Sequence, residues 1–95
     1  MGLGVPFNIA SYSFLTHLLA KHCGLEAHEF IYHIGNAHIY DDHLEVLKEQ
    51  VKREPKEFPH LTIKNKRNDI NDYILEDFEI LDYSFHQPVK MKMRV

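Results

Sequence analysis

The sequence is poor in cysteine and has no excess of positive charge. Its 95 residues include one cysteine, Cys23, and no tryptophan. A single cysteine excludes an internal disulfide and a zinc site built from several cysteines, and it fits a reducing compartment such as the cytoplasm. Eleven Lys and Arg against fourteen Asp and Glu give a net charge of -3. This balance disfavours a nucleic-acid partner, which would require a basic face.

Charged residues are missing from the first twenty positions, which hold no Asp, Glu, Lys or Arg. A transmembrane helix is nevertheless not predicted, because Asn8, Ser11 and Thr16 would need hydrogen-bond partners in lipid. A signal peptide would start with basic residues and end at a small-residue cleavage site, and neither feature is visible. We therefore expect no contact with a membrane and interpret the stretch as a helix buried within the protein.

The first helix and a following strand can be predicted from composition. Pro6 suits the first helical position, and Gly24 is the next residue that would end a helix. Residues 30–40 are rich in Phe, Ile and Tyr, which predicts a strand. Gly35 interrupts that strand and indicates a bulge or a close backbone approach.

An amphipathic helix is predicted next. Asp42 and Glu45 have the spacing of a capping box, and apolar residues recur at helical spacing until Pro55. Residues 60–64 form a short strand candidate, and residues 89–95 alternate apolar and basic side chains as in a half-buried strand. The predicted class is therefore α/β (α+β).

Eight histidines raise the question of a metal site. His33, His38 and His43 recur every five residues, which matches neither a strand nor one face of a helix. Neither Cys-x-x-Cys nor His-Glu-x-x-His spacing occurs. We therefore expect no metal. Cys23 lies at the predicted C-terminal end of the first helix, where the helix dipole disfavours a thiolate, so an inert thiol is favoured over a nucleophile.

The polar side chains of Asn8, His38 and Tyr40 can each have either a structural or a ligand-binding role. The Asn8 amide offers a donor and an acceptor, so it can either satisfy the first helical turn or bind the edge of a planar heterocycle such as uracil. The residue pattern alone favours the first role. His38 and Tyr40 lie two residues apart on the predicted strand and share a face, so they can converge on one ligand hydroxyl or pack as ordinary amphipathic residues.

Several longer segments resemble the C-terminal portion of thymidylate synthase, and the resemblance runs from about Leu3 to the last residue. The similar segments are GVPFNIASY at 4–12, GNAHIY at 35–40, LKEQ at 47–50, REP at 53–55, DFE at 77–79 and MKMRV at 91–95. The resemblance implies that residues 1–95 are the C-terminal segment of such a domain, which would be incomplete. It implies one long buried helix, an amphipathic helix and several strands of a larger sheet.

This family methylates dUMP to dTMP with methylenetetrahydrofolate as carbon donor and hydride source. The resemblance implies that Asn8, His38, Ile39 and Tyr40 bind dUMP, with Asn8 at the uracil ring and with His38 and Tyr40 at the deoxyribose hydroxyl. It also implies folate contacts and a closing C-terminal tail, and the residues assigned to them are Leu3, Gly4, Phe7, Met93 and Arg94. Arg94 departs from the family pattern, which usually has Ala at that position.

The same resemblance implies that the catalytic machinery is not contained in these residues. The family nucleophile is a cysteine in a Pro-Cys context upstream of this region, and Cys23 does not match it. We therefore expect no catalytic residue in the chain, no activity of the chain alone, and a homodimer in the complete enzyme, with or without a fused dihydrofolate reductase. The alternatives are a stand-alone nucleotide-binding or interaction module and a non-functional remnant.

Overall fold

The structure is a computed structural model and describes residues 1–91. The helix α1 spans Gly4–His22, α2 spans Leu44–Val51, and the strands β1 and β2 span His60–Ile63 and Phe78–Leu81. Short 3-10 helices lie at Asp41–His43, Ile70–Asp72 and Leu75–Asp77. This combination of helices and a small antiparallel sheet confirms the predicted mixed α/β class.

Helix α1 ends where the sequence predicts and begins two residues earlier. Pro6 is its third residue, a position that is tolerated because the first four backbone N–H groups of a helix have no partner within it. At the other end, Gly24 adopts a φ of 72°. The Gly24 N–H donates to the Lys21 carbonyl at 3.2 Å and the Leu25 N–H donates to the Ala20 carbonyl at 2.7 Å. These bonds form the Schellman motif that glycine favours.

The two strands form an antiparallel pair. The register places His60 opposite Leu81 and Ile63 opposite Phe78. The Lys64 N–H donates to the Asp77 carbonyl at 2.7 Å and extends the ladder by one bond. The prediction of β1 is therefore confirmed, whereas β2 is a strand that the sequence pattern did not indicate.

Two other strand predictions are wrong for the described residues. Residues 30–40 lie in no helix or strand, and neither do residues 89–91. A strand requires a backbone ladder with a neighbour, and in the described part of the chain β1 and β2 pair only with each other. The aromatic and β-branched residues of 30–40 favour a strand only where a neighbouring strand is present to pair with. The remainder of the predicted strand at 89–95 lies outside the described residues.

Helix α2 confirms the predicted amphipathic helix before Pro55 but lacks the capping box. The 3-10 helix Asp41–His43 leads directly into α2, so that His43 stands at the N-cap, and neither helix has a side-chain capping bond. On the exposed side, Lys48 lies 3.8 Å from Glu45 and Lys52 lies 3.5 Å from Glu49. Such solvated ion pairs contribute little stability.

The apolar side chains of α1 are not enclosed by the described residues. No residue of α1 is buried, and no apolar residue between 1 and 91 belongs to a buried core. Residues 1–91 alone do not provide the burial predicted for α1, because the two-stranded sheet covers only one side of the helix, where Phe14 and Phe78 place their ring centroids 4.8 Å apart. No helix within residues 1–91 is long and apolar enough to span a membrane.

Candidate functional site

The N-terminal end of α1 holds four of the predicted site residues. Leu3 is the N-cap, Gly4 the first helical residue, and Phe7 and Asn8 follow within the next turn. At 1.5 Å of rise per residue, Asn8 lies roughly 6 Å along the axis from Gly4. Asn8 is exposed, and its amide forms no hydrogen bond within residues 1–91. Its side chain thus does not cap the helix, which removes the first of the two roles considered for it.

The segment that carries His38 reaches the same end of α1. The Met1 amino group donates to the His38 carbonyl oxygen at 3.3 Å. This bond brings the predicted deoxyribose-binding segment beside the residues that precede Leu3. Ile39, between the two polar rings, is exposed.

The rings of His38, Tyr40 and His43 lie in series after this contact, each tilted against the next. The centroids of His38 and Tyr40 lie 5.6 Å apart, and those of Tyr40 and His43 lie 5.4 Å apart. The proximity of His38 and Tyr40 agrees with their predicted shared face, although the segment is not a strand. His43 is 2% exposed, whereas Tyr40 is partly exposed and His38 is exposed. His43 was considered only as a possible metal ligand from the sequence, although its spacing of three residues from Tyr40, just before a predicted helix, indicated that the two side chains could meet.

Two of the predicted folate residues, Gly4 and Phe7, face open space. Phe7 is 77% exposed and lies on a cavity of about 760 Å³. A Cβ added to Gly4 would have no atom within 4 Å, so nothing in the described chain occupies the space above that residue. Leu3 is partly buried. The other walls of the cavity come from the end of α2, the turn after it and residues 83–89, and they include Gln50, Val51, Arg53, Tyr83, His86 and Pro88.

Residues 86–91 contact the turn after α2 and the residues that precede α1. Arg53 Nη1 donates to the Gln87 carbonyl oxygen at 2.8 Å, and His86 Nε2 lies 2.8 Å from the Glu54 carbonyl oxygen. A Cβ on Gly2 would lie 3.0 Å from Met91 Sδ. The chain therefore approaches the predicted folate residues before it reaches Met93 and Arg94, which lie outside the described residues.

A polar network fixes the hairpin and the loop before β2. The buried Asp77 carboxylate accepts hydrogen bonds from the Arg67 side chain, the Asn65 amide and the Ile74 N–H. These donors, with Arg67 first, hold the pKa of Asp77 well below its usual range, and the same pairing raises the pKa of Arg67. Tyr73 connects the network to α1 because its hydroxyl lies 3.0 Å from His22 Nδ1.

Cys23 and the possible metal ligands can both be located within residues 1–91. Cys23 is free and exposed at the C-cap of α1. No group of three or more His, Cys, Asp or Glu side chains in this part of the chain is arranged to hold a metal ion.

The sequence is similar to known proteins over the full length of the chain. The sequence model of the family described as thymidylate synthase matches residues 1–95. Thymidylate synthase of Saccharomyces cerevisiae is 55% identical over 95 residues, which cover 100% of this chain and 31% of that relative. The bifunctional dihydrofolate reductase-thymidylate synthase of Paramecium tetraurelia is 50% identical over 94 residues, which cover 99% of this chain and 20% of that relative. The chain thus spans less than a third of the length of these relatives, and it belongs to the thymidylate synthase family.

Proposed function

We propose that this chain supplies the uracil, deoxyribose and folate contacts of a thymidylate synthase, which methylates dUMP to dTMP with methylenetetrahydrofolate. The observation that carries the proposal is the meeting of two segments at the start of α1, where the Met1 amino group binds the His38 carbonyl. The family membership supports the reaction, and the exposure of Asn8 and Phe7 supports their availability to ligands.

Asn8 binds the uracil ring in this proposal. Uracil presents an N–H donor beside a carbonyl acceptor, and an amide offers the complementary pair. Cytosine presents the opposite arrangement at this edge, so buried polar groups would be left mispaired and the base would be rejected. The amide N–H also stabilises the charge that develops on the ring carbonyl when a nucleophile attacks the ring.

His38 and Tyr40 bind the sugar. The deoxyribose of dUMP keeps one free hydroxyl, at the 3′ position, because its 5′ oxygen bears the phosphate. Two adjacent polar-tipped rings can share that hydroxyl, one as donor and one as acceptor. The packing of the two rings at 5.6 Å supports this role, and Ile39 contributes the intervening apolar contact.

Leu3, Gly4 and Phe7 form the folate surface. The exposed Phe7 ring and the open space above Gly4 fit a flat, partly aromatic ligand. Methylenetetrahydrofolate supplies the one-carbon unit and the hydride. Met93 and Arg94 belong to the tail that closes over both ligands and excludes water. Arg94 stands where the family usually has Ala, so a contact made there through the backbone survives the change, whereas one that requires a small side chain does not.

The nucleophile comes from outside these 95 residues. A thiolate cannot be replaced by positioning groups, and Cys23 lies at the wrong end of a helix for activation. The chain alone is therefore inactive, and the complete enzyme works as a homodimer in the cytoplasm without a metal. The absence of a buried apolar core within residues 1–91 disfavours the alternative of a stand-alone binding module.

The proposal is tested in an assembled enzyme, in which this chain replaces the matching stretch of 95 residues in the S. cerevisiae relative. Asn8→Ala should lower kcat/KM for dUMP by about a hundredfold and reduce the preference for dUMP over dCMP. The matched control is Asn68→Ala, which changes an exposed asparagine in the loop before Asp69. Unchanged turnover of dUMP by the Asn8 variant would refute the uracil contact.

A further inference from the structure

The Tyr40 ring lies between two histidine rings of different exposure. His38 is exposed at one end of the stack, and His43 is 2% exposed at the other. We propose that His43 is a positioning residue whose ring holds Tyr40 in the orientation that binds the 3′-hydroxyl of dUMP. The inference rests on the proposed function, because it assigns a support to a residue of that site.

The backbone makes His43 the fixed end of the stack. The His43 N–H donates to the Tyr40 carbonyl oxygen at 3.0 Å, and this bond closes the 3-10 turn Asp41–His43. His43 is also the N-cap of α2, so its backbone is held from both directions. Tyr40, in contrast, precedes the turn with an extended backbone, at φ -68° and ψ 145°, and remains partly exposed.

The ring contact is of the kind that orients an aromatic side chain. The planes of Tyr40 and His43 are inclined by 55° with centroids 5.4 Å apart, within the range of tilted aromatic pairs. A ring packed against Tyr40 restricts the side-chain torsions of Tyr40 and so fixes the place of its hydroxyl. A hydrogen bond to a ligand weakens steeply when its donor or acceptor leaves the required geometry. The buried histidine therefore affects sugar recognition without touching the nucleotide.

The test compares dUMP with its 2′,3′-dideoxy analogue, which lacks the 3′-hydroxyl, in the assembled enzyme. The measured quantity is the ratio of kcat/KM for the two nucleotides, in which the concentration of active enzyme cancels, so partial misfolding of a variant does not alter it. The unsubstituted assembled enzyme should prefer dUMP by about tenfold or more. His43→Leu, which removes the planar ring, should reduce this preference by about threefold or more, whereas His43→Phe, which retains a ring, should preserve it.

Two further variants separate this inference from the proposal on which it rests. Tyr40→Phe removes the hydroxyl and should reduce the preference by itself, and His43→Leu should then have no additional effect on the ratio. His28→Ala, at an exposed histidine, is the control. A ratio that His43→Leu leaves unchanged, or that His43→Phe reduces equally, overturns the positioning role. Equal use of both nucleotides by the unsubstituted assembled enzyme overturns the proposed sugar contact and the inference with it.

Discussion

Arg67 binds Asp77 through two of its side-chain nitrogens. Nε lies 3.0 Å from Oδ2 and Nη2 lies 2.6 Å from Oδ1, the fork geometry that makes arginine–carboxylate pairs strong. Asp77 is fully buried, whereas the Arg67 side chain is 37% exposed. The pair therefore joins the solvated loop after β1 to the residue that immediately precedes β2, and it closes the hairpin over a connection of fourteen residues between Ile63 and Phe78.

Replacing Asp77 with Ala should loosen this connection. The substitution leaves the Ile74 N–H and the Asn65 amide without their carboxylate acceptor. Hydrogen bonds to a buried, charged acceptor contribute more than ordinary ones, so their loss should accelerate amide hydrogen exchange in β2 of the assembled enzyme by about tenfold or more. Glu76→Ala, at the exposed neighbouring residue, should leave exchange near its original rate. Equal rates in the two variants would show that the network does not hold the hairpin.

The local stability that the Asp77 carboxylate contributes should depend on pH. The hydrogen bonds of this carboxylate hold the pKa of Asp77 below the value of about 3.9 expected in an unfolded chain. A depressed pKa contributes stability that is present above the unfolded pKa and is lost as the pH falls through the folded pKa. The difference in opening free energy between the original sequence and Asp77→Asn should thus be constant from pH 7 to about pH 5 and shrink below about pH 4. A difference that grew with acid would contradict the assignment.

Tyr73→Phe tests the link between the hairpin network and α1. The Tyr73 hydroxyl accepts the Arg67 backbone N–H at 3.3 Å and is placed to donate to His22 Nδ1 at 3.0 Å. The ring contact with Phe78 would remain in the variant, so the loss should be about 1 kcal/mol of local stability, measured by hydrogen exchange. Tyr83→Phe, at an exposed tyrosine, provides the control, and an equal effect of both would argue against the link.

Gly2→Val should disturb the approach of the C-terminal segment. A Cβ at Gly2 would lie 3.0 Å from Met91 Sδ and 3.2 Å from Leu47 Cδ2, so a branched side chain must displace both. Overpacking of this kind typically costs about 1–3 kcal/mol. We expect a higher KM for methylenetetrahydrofolate in the assembled enzyme, because Met91 leads into the tail that is proposed to close over the ligands.

Gly35→Ala is the matched control for Gly2→Val, since a Cβ at Gly35 would have no atom within 4 Å. Its KM for the folate should equal that of the unsubstituted enzyme. If Gly2→Val also left this KM unchanged, the contact between Gly2 and Met91 would have no part in folate binding.

The elements with local sequence signals were predicted well. Gly24 marks the end of α1 because its left-handed backbone is intrinsic to the residue, and Pro55 marks the limit of α2 in the same local way. The strand predicted over 30–40 failed because a strand depends on a neighbouring chain segment, which composition does not specify. Strand β2 was missed for a related reason, since its ladder is made with residues almost twenty positions away.

Some residues of the candidate site could be assigned from the sequence and others could not. The resemblance assigned Asn8, His38 and Tyr40, and the structure brings their segments to one end of α1 through Met1. His43 and Asp77 received no role from the sequence. Both are polar residues that are buried by packing between separate segments of the chain. No periodic pattern in the sequence predicts which segments will pack against them.

We propose that this chain carries ligand contacts of a thymidylate synthase but not its nucleophile. Thymidylate formation from dUMP and methylenetetrahydrofolate tests this directly. It is measured with the 95-residue chain alone and with the assembled enzyme, under identical conditions. We expect no product with the chain alone and sustained turnover with the assembled enzyme. Turnover by the chain alone, or inactivity of an assembled enzyme that is folded, would contradict the proposal.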